Sequence, residues 1–216
     1  MTDRLNKIFA VIKECSVFAD IGCDHGYIAK QMLDSGKCQK VIISDISEKC
    51  LDKARTLLAD YIACGRAESA VSNGFDNVGA CDQALIAGMG GEEITAIIES
   101  AKLSGKLPKT LILQPMKNCD KVRLCAVNSG YRVESDRVFK SGGKFYNLMV
   151  LSFGEDCLTE EEIAFGRDNV KELPSDFREM LRIEIEKLNL AKQNPALSQS
   201  ARQQIDEKLK KFEKYV

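Results

Sequence analysis

The sequence predicts an α/β protein: a mainly parallel sheet of seven strands, closed by an antiparallel hairpin and followed by a pair of helices. Three observations predict it. Short apolar runs alternate five times with stretches of helical 3–4 spacing between Val17 and Asn128. Two longer extended runs, 131–139 and 145–153, then flank Ser141-Gly142-Gly143, a hairpin signal. Beyond Gly154 the extended runs stop and only helical spacing remains.

The elements follow in order. Leu5, Ile8, Val11 and Ile12 give 4–14 the spacing of a helix. Residues 17–21 form a first strand, 27–33 a helix ending near Gly36, and 40–44 a second strand with Asp45 at its carboxyl end. Ser47, with Glu48 in the first turn, caps a helix that runs through Leu51, Ala54 and Leu58 to about Cys64 and closes at Gly65. A third strand spans 67–71 and turns at Asn73-Gly74; a fourth spans 83–87 and opens into Gly88-Met89-Gly90-Gly91. A helix over 92–103, a fifth strand over 110–113 ending at Gln114-Pro115, and a helix over 119–128 complete the alternation. Thr159-Glu160-Glu161-Glu162 starts another helix. Phe177, Leu181, Ile185 and Leu188 pattern a helix over 176–192, Asn194-Pro195 breaks it, and Ile205, Leu209 and Phe212 stripe a last helix over 198–215. These two make a helical hairpin, coiled-coil-like, with a narrow apolar seam. The expected division is a sheet domain over 1–156 and a helical unit over 157–216.

Composition excludes several classes. The start of the chain is short and polar, unlike a secretion signal, and no apolar run approaches the roughly 18 residues of a membrane span. Nine cysteines without a C-x-x-C pair, and a single histidine, point to reduced thiols in a cytoplasmic protein and to no metal site. The net charge is −1, yet residues 102–144 hold ten Lys and Arg against three Asp and Glu. Such a segment is either a phosphate-facing surface or a set of solubilising lysines.

The chemistry concentrates behind the first strand. Val17-Phe18-Ala19-Asp20-Ile21 breaks into Gly22-Cys23-Asp24-His25-Gly26, and a helix starts at Tyr27. That is the nucleotide-side turn of a Rossmann-like βαβ unit. Its glycines read G-x-x-x-G, and Asp20 and Asp24 flank them. Carboxylates there repel a pyrophosphate, which argues against a nicotinamide dehydrogenase, and suit a ligand carrying an ammonium, a sulfonium and a ribose: S-adenosylmethionine. Five alternations closed by a hairpin are also the pattern of the seven-stranded methyltransferase sheet.

Ligands of open α/β sheets sit outside the carboxyl ends of the strands. The expected cofactor crevice therefore gathers Asp20, Gly22, Cys23, Asp24, His25, Gly26, Asp45, Ile46, Asn73, Gly74, Phe75, Gly88, Met89 and Gly90, with Gln114 to Met116 nearby. Gly22 and Gly26 allow close backbone approach. Asp20 and Asp24 hold the ammonium. Asp45, 23 residues after Gly22, is placed to accept from the ribose hydroxyls, or else caps the next helix. Phe75 is expected along the adenine. His25 is expected to cap a helix, touch the cofactor or touch the substrate base.

These residues resemble a family. Asp20-Ile21-Gly22-Cys23-Asp24-His25-Gly26-Tyr27, Ala87-Gly88-Met89-Gly90-Gly91, Leu113-Gln114-Pro115, the Gly143 to Tyr146 pattern and the helical tail are similar to the bacterial tRNA (adenine-N1)-methyltransferases that modify adenine 22. The chain departs from that pattern at Gly26, at Ala29-Lys30 and at Met116. The resemblance implies methyl transfer from S-adenosylmethionine to N1 of an adenine in tRNA. Beside it, no metal or membrane partner is expected, and the chain is expected as a monomer or weak dimer. Asp24, His25 and Met89 are then the candidates for contact with the reacting atoms. Lys117, Lys121, Arg123, Lys140, Lys144 and Tyr146 are the candidates for RNA contact, and the tail either docks RNA or dimerises. Other classes stay open beside it: another RNA site or a small molecule as acceptor, or a non-enzymatic module that binds the cofactor or RNA.

Overall fold

The computed structural model describes residues 2–216. Seven strands form one sheet: β1 (Cys15–Ile21), β2 (Cys38–Asp45), β3 (Ala67–Val71), β4 (Gln83–Ala87), β5 (Thr110–Gln114), β6 (Tyr131–Ser141) and β7 (Lys144–Phe153). Their order is β3-β2-β1-β4-β5-β7-β6. β1 to β5 run parallel and β7 runs antiparallel to both of its neighbours. The order reverses between β1 and β4, which leaves a crevice at the carboxyl ends of those two strands.

Strand alternation divides the core between two faces. Phe18, Val41, Ile43 and Leu85 point to one side, where α1 (Asp3–Val11), α2 (Tyr27–Asp34) and α3 (Glu48–Leu57) bring Ile8, Met32 and Leu51 against them. Ala19, Ile21, Ile42, Ile86 and Leu113 point to the other, under Ile94 and Ile98 of α5 (Gly91–Leu103) and Val122 of α6 (Cys119–Asn128). The continuous apolar runs of β1, β2, β4 and β5 exist because both faces are covered.

The helix expected over 47–64 is interrupted. Leu58 leaves helical geometry (φ −106°, ψ 15°), and α4 (Ala59–Ala63) follows it. Ala54 O accepts from Leu58 N and Leu58 O from Ile62 N, so the chain bends without losing these bonds and keeps Leu58 in the core. The hairpin closes tightly: Ser141 pairs with Lys144, and Gly142 and Gly143 both take positive φ (54° and 75°), as a two-residue turn of this twist requires.

The helix start at Thr159 yields only α7 (Glu160–Phe165), ended by Gly166, followed by α8 (Arg167–Glu172), α9 (Ser175–Lys192) and α10 (Gln199–Glu213). These helices are stitched to the sheet. A register shift between Val133 and Ser135 of β6 changes which backbone groups face outward. The outward N–H groups of Val133, Asp136, Val138 and Lys140 donate to Asp156, Asp168, Asn169 and Asp176 side chains at 2.9–3.0 Å. An open sheet edge is thereby closed by carboxylates and one amide. Above it Val138, Phe165, Phe177, Leu181 and Tyr215 form a third apolar cluster.

Candidate functional site

A cleft of about 750 Å³ opens at the carboxyl ends of β1, β2, β3 and β4. The turn after β1 shapes its wall. Gly22 N and Cys23 N both donate to Ser44 O of β2, at 2.8 and 3.0 Å, which pins the turn flat against the neighbouring strand. The turn needs positive φ at Gly22 (71°), Asp24 (48°) and Gly26 (71°). For Asp24, which has a Cβ, this is a strained conformation held by its surroundings. Asp24 N donates to Asp45 Oδ2 at 3.2 Å, while Asp45 Oδ1 accepts from Ser47 N at 2.9 Å. The helix cap itself is Ser47, whose hydroxyl accepts from Cys50 N. Asp45 thus braces the turn from the end of β2, with its carboxylate lining the cleft.

The electrostatics are uneven. Asp20 is 6% exposed, and among the described residues no Lys or Arg pairs with it. Burial pushes its carboxyl up to about 7, against the pull of the Ala29 backbone N–H and with a small push from Asp45. Asp24 sits at the rim, 2.7 Å from His25 Nδ1 and 3.8 Å from Lys53 Nζ. Burial beside Asp20 raises the Cys23 thiol far above its ordinary value, so Cys23 offers the cleft an uncharged surface and no thiolate. Glu93 of α5 also lines the cleft and accepts from Gly90 N at 2.9 Å.

Most residues expected in the crevice come together there: Asp20, Gly22, Cys23, Asp24, His25, Asp45, Ile46, Asn73, Gly74, Gly88 and Met89 all line it. Met89 reaches across the cleft, its terminal methyl filling the space that a Cβ on Gly22 would take. Ile46 is 73% exposed, an apolar surface left open at the end of β2. Three expectations need correction. Phe75 is buried with Val78, Ile94 and Ile98 in the core, so it offers no face to a ligand. Gly26 faces α3 instead, where a Cβ would meet the Ala54 Cβ at 3.0 Å. Gly90 caps α5 beside Lys117, whose Cε lies 3.0 Å from a Cβ there.

The basic segment is also corrected. Arg123 is 1% exposed and gives Asp136 two hydrogen bonds, Nε to Oδ2 at 2.6 Å and Nη2 to Oδ1 at 3.1 Å; it is closed to RNA. Lys121 pairs with Glu92 at 2.9 Å and Lys140 with Glu179 at 2.6 Å. Arg137 pairs with Glu172, and the Lys102 ammonium donates to Asn128 O. Much of the excess charge of 102–144 is therefore met by acids and carbonyls, several of them on α8 and α9. Lys117 and Lys144 are exposed. Tyr146 is half-buried, stacked on Phe139 with centroids 5.5 Å apart, and Arg4 lies over its ring.

Sequence reasoning missed the contribution of the first helix. Thr2, Arg4 and Leu5 line the cleft, as do Ser72, Ala96 and Ile97. Helical spacing at 4–14 located α1 but carried no signal of which end faces the strand termini. Among the described residues no cluster of His, Cys, Asp and Glu has metal-binding geometry, and no helix is long and apolar enough to cross a membrane.

Comparison with known proteins agrees with this architecture. The Methyltransferase domain family matches residues 1–149. A Bacillus subtilis (strain 168) protein named tRNA (adenine(22)-N(1))-methyltransferase is 27% identical over 159 residues, 72% of this chain and 66% of that protein. A Streptococcus pneumoniae structure, provisionally described as a tRNA (m1A22) methyltransferase, superposes with a TM-score of 0.92 at 25% identity, over 100% of this chain and 99% of that one. The M. capricolum protein TrmK, solved with S-adenosyl-homocysteine, superposes with a TM-score of 0.88 at 23% identity, over 100% of this chain and 97% of that one; at this identity the likeness is one of fold. With its family matched over two thirds of its length, the chain belongs to the methyltransferase-domain family.

Proposed function

We propose that this protein transfers a methyl group from S-adenosylmethionine to N1 of an adenine in tRNA. One observation carries the reading: a cleft at the β1/β4 switch point holds a buried carboxylate, Asp20, that lacks a cationic partner among the described residues. A buried acid of this kind marks a site awaiting a cation. The Bacillus subtilis and Streptococcus pneumoniae relatives, described as acting on adenine 22 of tRNA, support the acceptor and its position.

S-adenosylmethionine supplies an electrophilic methyl on a positively charged sulfur. The residues present fit it. Asp20, ionised on binding, pairs with its ammonium. Each Asp45 oxygen accepts one backbone N–H and keeps a second acceptor site, for the ribose hydroxyls. Ile46 and Ile97 offer apolar faces to the adenine of the donor, the role first expected of Phe75. Gly22, without a Cβ, leaves room for the Met89 side chain over the turn. Because the sulfonium loses its charge in the transfer, the protein needs no strong acid, and alignment supplies most of the rate, roughly 7–11 kcal/mol where it is good. Met89, which spans the cleft above Gly22, borders the space where donor and acceptor meet; Asp24 and His25 stand at the rim as proton-accepting groups. N1 lies on the pairing edge of the base, so the adenine must leave its stack. Lys117 and Lys144 contact the phosphates, and the helical unit 157–216 braces the RNA by shape.

The test is incubation with methyl-labelled S-adenosylmethionine and unmodified tRNA, followed by mapping of the block to reverse transcription. A single new stop at one adenine is expected. Methylation of free adenosine as fast as of tRNA, or a cleft that prefers NADH, overturns the reading.

A further inference from the structure

Met116 is 52% exposed, a large apolar side chain just past the end of β5 that stands outside the lining of the donor cleft. Single exposed apolar residues are ordinary on a protein surface. This one is held in place. Three backbone bonds join the loops after β4 and β5: Gly88 N donates to Gln114 O at 3.0 Å, Met116 N to Met89 O at 2.9 Å, and Gly91 N to Lys117 O at 3.0 Å. Met116 is thereby fixed next to Met89, whose terminal methyl fills the space over Gly22. We propose that Met116 contacts the face of the acceptor adenine, continuing beyond the donor cleft the apolar surface that Met89 begins. The inference rests on the proposed function and adds to it a positioning residue for the acceptor base.

The side chain is held as well as the backbone. Gln114 is fully buried, and its Oε1 accepts from Arg4 Nη1 at 2.5 Å. Its Nε2 therefore faces the other way, and donates to Pro115 O at 3.2 Å and to Met116 Sδ at 3.4 Å. A methionine free to turn loses rotamer freedom when a ligand fixes it, and the amide takes part of that loss in advance. The partner that suits such a surface is flat and polarisable, because thioethers pack favourably against aromatic rings. An adenine drawn out of its stack carries a face of that kind, bare of its former neighbours. N1 lies on the pairing edge, in the plane of the ring, so a contact on the face leaves the reacting edge free. A phosphate gains nothing from a thioether; the exposed Lys117 beside it answers that group instead.

The experiment uses the full chain and two RNAs: tRNA, and the same tRNA with an abasic site at the adenine that the methylation map identifies. Met116→Ala is expected to weaken affinity for intact tRNA roughly 3- to 10-fold, the worth of one thioether–ring contact, and to leave affinity for the abasic tRNA as it is. Met116→Leu, apolar and of similar volume, should recover most of the loss. In turnover the loss should fall on KM for tRNA with kcat held, since the contact exists before and during transfer. Calorimetric affinity for S-adenosylhomocysteine should not change. Equal weakening of both RNAs gives Met116 a role in the loop or at the RNA backbone and overturns the proposal. Unchanged affinity for both makes it a bystander and overturns it too. Loss of S-adenosylhomocysteine affinity in Met116→Ala returns the residue to the donor cleft, against the proposal. A wild-type chain that binds S-adenosylhomocysteine but methylates no adenine of tRNA overturns the acceptor reading itself, and this inference with it.

Discussion

Two carboxylates of one sheet, Asp20 on β1 and Asp136 on β6, are buried to a similar degree, at 6% and 0% exposure, and have opposite surroundings. Asp136 receives two hydrogen bonds from Arg123, whose remaining N–H groups reach Asn147 Oδ1 at 2.8 Å and Ile163 O at 3.1 Å. Every charge there is answered, and the answer ties α6, β6, β7 and α7 together. Among the described residues Asp20 has no cationic partner, and its carboxyl is pushed up to about 7. The half of the molecule around β6 uses buried charge as architecture, and the half around β1 leaves it unanswered among the described residues. Residue type and burial alone do not separate these uses; the partner does.

The largest effect expected from this contrast is on stability. Arg123→Met leaves Asp136 buried and unpaired, which costs about 3–5 kcal/mol, whereas the double change Arg123→Met/Asp136→Leu recovers most of that loss. Urea unfolding measures both. A single variant no less stable than the double would show that the pair is not what holds this half.

Asp20 should behave in the opposite way. Its carboxyl sits at about 7 in the folded chain, above the ordinary 3.8. The folded state therefore holds a proton that the unfolded state has lost. The associated stability is fully present below about pH 4 and disappears as pH rises through about 7. Asp20→Asn should flatten that slope and make the free protein no less stable at pH 8. Donor affinity should move the other way, strengthening in the wild type as pH rises through about 7, because only the ionised carboxylate pairs with an ammonium. In Asp20→Asn it should be weaker and level with pH. Wild-type affinity that is constant across this range would remove Asp20 from the ammonium site.

The sheet edge sharpens the contrast on a smaller scale. Asp176→Ala takes the acceptor from Lys140 N and lets water replace it, at a cost of about 1 kcal/mol. Amide exchange should quicken at Lys140 and stay slow at Val138, which still donates to Asn169. Equal quickening at both would mean that the tail detaches as a unit.

How far the sequence discloses this contrast depends on how local the signal is. Strand and helix periods, and the glycines and acids at strand ends, are local; they locate the sheet and most of the cleft. Arg123 was readable in principle. Cys119, Val122, Arg123 and Ala126 stand at the i, i+3, i+4 and i+7 positions of α6, so the charge lies on the face that packs inward. Phe75 and Val78 form a similar inward pair after the turn. Arg4 and the edge-closing acids were not readable. Arg4 meets a partner 110 residues away, and Asp156, Asp168 and Asp176 meet theirs at separations of 23, 32 and 36. No periodicity encodes contacts that exist only once the sheet is assembled.

The smallest expected effect divides the lysines by the same criterion. Lys121 and Lys140 have acidic partners, whereas among the described residues Lys117 and Lys144 are exposed and form no ion pair. A cation already paired must exchange one anion for another to meet a phosphate; an unpaired one exchanges only mobile ions. Counterion release should therefore register at Lys117 and Lys144. Replacing either by alanine should lower the slope of log affinity for tRNA against log salt by about 0.7–0.9, the share of one phosphate. Lys121→Ala and Lys140→Ala should change that slope far less. Four equal changes in slope would mean that Glu92 and Glu179 yield their lysines to RNA without resistance, and that pairing in the free protein does not decide which cations touch the backbone.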